Sequence, residues 1–558
     1  MDKKRVMALV LSTVMALSGA ACSTPASKET AAAGASSDST VASGKDDATV
    51  DTASGEKIFR YSIAADVTTL DQQKMNESVA ATIGYHIQEG LTRSISGEVH
   101  PGIAESWDVS EDGLTYTFHL RDAVWSDGKA ITADDFVYGM KRIVDPEVAS
   151  PFAFIAKPLL NATEITAGEK NVDELGVKVI DEKTLECTLA FPAPYFLQLL
   201  SMSQFYATRE DLAEQYGSDF AGSADKNVYD GPFKLKEWKP NDRIILEKNE
   251  NYWDAENVKL DGAEIIVVAD ENTALAMYEQ GELDYVDVPT DLIPNYPDAE
   301  FYYSGACDFI KLNTGDGPLA NRNFRLALNY GLNRNEFINL STNGYWTPAN
   351  RFVLGIVGGE SKTWEEEHPY TAFPLDGDQA KAQEYLQTAM SELGVSAPSE
   401  IQIELLTTDM ERTKKEAEVI QALLQDSLGI VINISLVPRA DRLSREDTGD
   451  YEMVISGILP DYPDPISFLE SWETTSPYNH TNYSNPEYDA LLEKAYADGN
   501  ATTRFDTLFE AEKLFMEDGG LVPLQFRRNA KLVNTAVTGV TNYFCGYNIN
   551  FIHADKAE

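Results

Sequence analysis

The sequence predicts an α/β protein built from more than one packed unit, and three observations carry that prediction. Its 558 residues exceed what one ordinary core holds, so two or three units are expected. From Ile401, "IQIELL" alternates as a strand, "ERTKKEAEVIQALLQDSLG" has the spacing of an amphipathic helix closed by Gly429, and "IVINISLVP" returns as a strand. A strand-helix-strand unit of this kind builds open α/β sheets whose ligands lie in a crevice. The 43% apolar and 10% aromatic content supplies material for such cores, so disorder is local.

The chain starts with an export signal over residues 1–22. Lys3, Lys4 and Arg5 form a basic start, "VMALVLSTVMAL" is too short to span a bilayer comfortably, and the small residues "SGAAC" follow. Gly19 and Ala21 suit an ordinary signal peptidase cutting before Cys22. A cysteine at this point also suits a lipobox, with Gly19 standing where leucine is usual. Residues 23–56 favour lipidation of Cys22. This stretch is almost only Ser, Ala, Thr, Gly, Asp and Lys, without an aromatic residue, and reads as a flexible stalk that lets a lipid-anchored domain stand clear of the membrane. No other segment resembles a membrane span. Cys187, Cys307 and Cys545 remain, without CxxC spacing, and this disfavours a zinc site and a disulfide scaffold alike.

In "LTYTFHLRDAVWSDG", Tyr116, Phe118 and Leu120 alternate with Thr117 and His119, the period of a half-buried strand ending at the Ser126-Asp127-Gly128 turn. A helix follows. Thr132 is its N-cap with Asp135 three residues on, Phe136, Val137, Met140, Ile143 and Val144 share one face, and Asp145-Pro146 stops it.

Charge and motifs narrow the function. Lys plus Arg number 45 against 90 Asp plus Glu, a net charge of −45, which repels phosphate backbones and excludes nucleic acid as a partner. GxSxG, GxxxxGK[ST], GxGxxG and HExxH are all missing, and the six histidines are scattered, so no enzyme chemistry, metal or cofactor is expected. His119 and His368 read as surface or packing residues.

"GILPDYPDPISFLESW", Gly457 to Trp472, holds two acids with separate roles. Asp464 precedes Pro465 and an apolar run, which fits the cap of a helix whose first position is proline. Asp461 lies between Pro460 and Pro463, where neither a helix nor a regular ladder continues, so its side chain is released to point elsewhere. It is either a solvated loop acid or part of a binding loop at a strand tip.

With these residues in view, the chain resembles the extracellular solute-binding proteins of family five, the peptide receptors of ABC importers, and the oligopeptide-binding members in particular. "LRDAVWSDGKAITADDFVYGMKRIVDP" carries the likeness most specifically, and "DGPFKLKEWKPNDRIILEKNENYWD", "NFRLALNYGLNR", "DYPDPISFLESW" and "NYSNPEYDALLEKA" follow in family order. The resemblance implies a two-lobed periplasmic-binding-protein-like α/β fold of class II, cluster C type. Residues 57–88, 212–305 and 528–558 form its first lobe, 89–211 an extra domain on that lobe and 306–527 the second lobe, with hinge crossings near Cys307 and Phe526. It further implies that Asp461 receives a peptide α-ammonium, that Gly457 and Ile458 hold the peptide backbone as an added strand, and that Asn76, Ser78 and Phe152 touch the ligand, although Phe152 fits plain core packing equally well. Where the well-known oligopeptide binders carry basic residues for peptide carboxylates, this chain has Glu446 and Ile455, and Arg439 is the candidate replacement. The expected partners are a peptide, ABC permease subunits and the outer face of the cell membrane through the lipid anchor, with the receptor itself a monomer. Signalling peptides, sugars, nickel complexes and haem are the alternative ligands within the family.

Overall fold

The computed structural model describes residues 55–557 except 96, 360, 477 and 546. Cys22, the export signal and most of the stalk therefore lie outside the described residues. A mixed sheet of eleven strands runs through the described chain. One half is made by Phe233–Lys239, Arg243–Lys248, Gly262–Val267, Ile58–Ile63 and Tyr285–Asp287, the other by Met453–Ile458, Gln402–Thr408 and Val431–Val437. The two 13-residue strands Glu300–Leu312 and Leu521–Val533 join the halves as an antiparallel pair, and Thr347–Pro348 adds on Leu521–Val533. Their register slips between Tyr303 and Cys307 and again between Asp308 and Phe309, and Cys307 faces Phe526. Gly305 sits inside the first slip at φ +88°, where an added Cβ would come 2.0 Å from the Phe544 carbonyl oxygen, so both the backbone angle and the close approach demand glycine.

The strand-helix-strand reading holds. Gln402–Thr408 and Val431–Val437 pair in parallel, from Gln402 against Val431 to Thr408 against Val437, and Glu411–Leu428 crosses between them. Ala417, Ile420, Leu424 and Leu428 turn its apolar face into the core of that half. A separate four-stranded sheet holds the predicted Thr115–Leu120 strand. Tyr116, Phe118 and Leu120 are buried there, and helix Ala133–Val144 starts as predicted, the Thr132 amide donating to Asp135 Oδ2 at 2.9 Å. His119 meets Asp108 on the surface at 2.9 Å, while His368 is buried against Trp364 and Phe509. Cys187, Cys307 and Cys545 are free and buried.

Asp464 does more than cap a helix. Its Oδ1 accepts the Ile466 amide at 2.9 Å, as a cap does, but the helix is a single turn, Ile466–Leu469, starting one residue later than proline at its first position requires. The carboxylate also holds Arg504 of helix Ala501–Glu517 by two bonds of 2.8 and 2.9 Å, and both residues are buried. A partner 40 positions away leaves no trace in local sequence.

Candidate functional site

The Met453–Ile458 strand ends in the Leu459–Pro463 loop, and this junction makes the centre of the cleft. Glu300–Leu312 pairs with the strand along its whole length, from Leu312 against Met453 to Cys307 against Ile458. Gln402–Thr408 pairs with the opposite edge only at Met453 and Val454. Ser456, Gly457 and Ile458 therefore show one edge without a strand partner, a template for an extended chain. Gly457 fits because a Cβ there would lie 2.6 Å from Asp308 Oδ1, and Asp308 is fixed by Arg527 at 2.6 and 2.8 Å.

The loop that follows is held at both ends. The Asp461 amide donates to Ser467 Oγ at 2.9 Å, the Cys545 thiol donates to the Pro460 carbonyl at 3.1 Å, and the Tyr462 ring stacks on Tyr195 at 5.2 Å. These contacts leave the Asp461 carboxylate half-buried at the junction of two cavities. The first, about 150 Å³, gathers Asn76, Ser78, Phe152 and Asp461 with Leu459, Tyr543, Cys545 and Asn548. The second, about 660 Å³, joins Asp461 and Ile458 to Phe154, Lys157, Glu470 and Tyr478. Gly457 is absent from both and lines, with Ile458, a third cavity of about 250 Å³ that also holds Lys311 and His480. The structure thus brings four of the six expected contact residues into one cavity and sets the other two along the neighbouring strand. Phe152 lines the cavity while stacking on Phe154 at 5.6 Å, so its packing and cleft-lining roles coincide.

Electrostatics single out Asp461. Burial pushes its carboxyl up to about 7, and among the described residues no cation pairs with it. Glu470 is also pushed up to about 7, by burial first and by Asp461 further, against the pull of Lys157 and the Tyr462 hydroxyl, which donates to it at 3.1 Å. The Cys545 thiol is raised by burial and by Asp461. The cleft wall therefore holds two carboxyls that burial keeps from ionising readily, Glu470 under the pull of Lys157 and Asp461 without a paired cation among the described residues.

The expected replacements for carboxylate-binding cations resolve differently. Glu446 is buried and ion-paired with Lys311 and with Arg442, the latter at 2.7 Å, and it accepts Ser456 Oγ at 3.0 Å. Two cations do converge near positions 446 and 455, from Lys311 and Arg442, but they serve Glu446. Arg439 is exposed and lines none of the three cavities. Leu459, Glu470, Tyr543, Phe544, Cys545, Tyr547 and Asn548 also line these cavities and were not expected from the sequence. A glutamate inside the apolar run "ISFLESW" was the one available signal. The C-terminal segment reaches the cleft from more than 80 residues downstream of Asp461 and gave none. Among the described residues no cluster of potential ligands could hold a metal ion.

Comparison with known proteins identifies the family and the fold. Residues 98–480 match the family model described as bacterial extracellular solute-binding proteins, family 5 middle. A dipeptide-binding protein from Bacillus subtilis is 33% identical over 90% of this chain and 92% of its own length. Among solved structures, the substrate-binding domain of an oligopeptide ABC transporter from Bacillus anthracis superposes with a TM-score of 0.76 at 31% identity, covering 90% of this chain and 99% of that one. Listeria monocytogenes OppA bound to peptide gives 0.75 at 29%, covering 90% and 100%. The two-lobed α/β fold expected from the sequence is the fold of these neighbours, and the chain belongs to the bacterial extracellular solute-binding proteins of family 5.

Proposed function

We propose that this chain captures oligopeptides in the cleft and hands them to an ABC permease, binding without turning its ligand over. The uncompensated Asp461 carboxylate carries this reading. An α-amino group with a pKa of about 8 is mostly charged at neutral pH and needs a counter-ion once water is expelled. Asp461 is that counter-ion, the free edge at Ser456–Ile458 takes the peptide backbone, and Asn76, Ser78 and Phe152 close over the first residues. In this reading residues 57–88, 212–305 and 528–558 move as one lobe carrying the 89–211 domain, and 306–527 as the other. The slipped register around Cys307 and Phe526 supports a hinge there, because a few residues can absorb the change in angle while packed bodies stay rigid. Cys22 carries the lipid at the end of the 23–56 stalk, placing a monomeric receptor on the outer face of the membrane.

Calorimetry on four protein–peptide combinations tests the assignment. Removing one member of a buried charge pair costs roughly 3–5 kcal/mol, so Asp461→Asn should weaken binding of a free-amine peptide about a hundredfold or more. N-acetylating the peptide should cost the parent protein a similar factor, and the mutant should hardly distinguish free from acetylated peptide. Equal affinity of mutant and parent for the free-amine peptide would reject the role of Asp461.

A further inference from the structure

Leu459, Tyr543 and Asn548 line the Asp461 cavity and also a neighbouring cavity of about 340 Å³. A second carboxylate faces this space. Asp287 ends the Tyr285–Asp287 strand, and its Oδ1 accepts the hydroxyls of Tyr285 and Tyr302 at 3.0 and 2.9 Å. Behind them, the Asn542 amide donates to the Tyr285 oxygen at 2.8 Å and the Asn529 amide to the Tyr302 oxygen at 3.1 Å. Each hydroxyl oxygen thus accepts from an amide; the Tyr302 proton turns to Asp287, and the Tyr285 proton has both Asp287 and the Tyr302 oxygen, at 3.3 Å, within reach. That second row of donors is built for an anion.

Lys531 pulls on the Asp287 carboxyl, but less than burial pushes it up. Lys531 stands opposite Asp287 in the strand register, but its ammonium pairs with Glu300 at 3.5 Å. Arg527 lines the same cavity and is held by both oxygens of Asp308. Asp287 itself forms no ion pair among the described residues. Its side chain is open to solvent, yet the surrounding walls push its carboxyl up to about 6, leaving it largely ionised at neutral pH. Tyr61 supplies an independent sign of a ligand. It is 4% exposed, lines this cavity, and its buried hydroxyl has no hydrogen-bond partner. A carboxylate and an orphaned hydroxyl that line one cavity suit a group that has several donors and no acceptor.

We propose that this cavity is a side-chain subsite for a lysine or arginine of the captured peptide, whose ammonium or guanidinium donates to Asp287 and to the Tyr61 hydroxyl. The methylenes of such a side chain would lie along Ile63, Val79 and Leu459, which line the same space. The proposal rests on the peptide reading above and adds a selectivity that the α-ammonium site cannot supply.

The test uses the full chain and unlabelled alanine peptides of two to five residues as hosts. In the host that binds, each position is replaced in turn by lysine and by norleucine, which keeps the methylenes and removes the charge. At one position the lysine peptide should bind about tenfold tighter than its norleucine twin, as a charge-assisted hydrogen bond implies. In Asp287→Asn that ratio should fall to about one. If a host binds but lysine never outdoes norleucine, this subsite is wrong and the peptide reading stands. An equal loss of both twins in Asp287→Asn would make the residue a structural support and likewise overturn the subsite. If no host binds at any length, the peptide reading itself falls and the subsite with it.

Discussion

Asp461 and Asp464 stand three positions apart in one loop and face opposite electrostatic surroundings. Asp464 meets a guanidinium and a backbone amide, so its charge is spent inside the protein. Asp461 meets neither, and burial raises its carboxyl. The difference has a measurable consequence. Asp464→Asn can still accept the Ile466 amide, but it leaves the Arg504 guanidinium buried beside a neutral side chain. Breaking such a pair costs roughly 3–5 kcal/mol, so urea unfolding should show a loss of that order. A loss below about 1 kcal/mol would mean that the pair is poorly formed in solution. A local capping argument alone forecasts a small cost, because asparagine caps as well as aspartate.

At the scale of elements, the Met453–Ile458 strand has to satisfy two demands at once. One edge completes the sheet against Glu300–Leu312, and the other stays unpaired beyond Val454. Gly457 sits where these demands meet, because the side of the strand that a Cβ would occupy is filled by Asp308. Gly457→Ala should push Asp308 off Arg527 or bend the strand, a strain costing about 1–3 kcal/mol. Thermal unfolding should show the stability loss, and peptide affinity should fall with it, since the edge that receives the peptide moves. A variant with parent-like melting and parent-like affinity would show that the strand yields without cost.

At the scale of the whole molecule, the raised carboxyls in the cleft couple ligand, pH and stability. Asp461 and Glu470 titrate near 7 in the folded chain and near 4 in the unfolded one, so their ionisation opposes folding. The penalty is complete above about pH 7 and disappears as pH falls towards 4. Lys157 partly offsets it at Glu470, and Cys545, raised well above its ordinary value, stays neutral through this range. The ligand-free protein should therefore melt at a higher temperature at about pH 5.5 than at about pH 8. Peptide binding follows the opposite limb. Affinity should rise as Asp461 ionises through about pH 7 and fall again as the peptide amine loses its proton above about pH 8. Asp461→Asn should flatten the acidic limb and keep the alkaline one. A pH series of melting curves and titrations on parent and mutant checks both statements.

What the sequence determined by itself was whatever depends on neighbours along the chain. The alternation of Thr115–Leu120, the capping of Ala133–Val144 by Thr132 and Asp135, and the parallel pair around Glu411–Leu428 all follow from spacing, because side-chain period and capping geometry are local. Proline at 460 and 463 likewise released Asp461 from regular structure before any fold was known. The tertiary structure alone decided which charges are already spent. Arg504 reaches Asp464 from 40 residues away, Lys311 crosses to Glu446 from 135, and Asn542 reaches Tyr285 from 257. Whether a carboxylate is neutralised inside the protein or left to receive a ligand depends on what the closed chain places within a few ångströms, and no spacing rule carries that information.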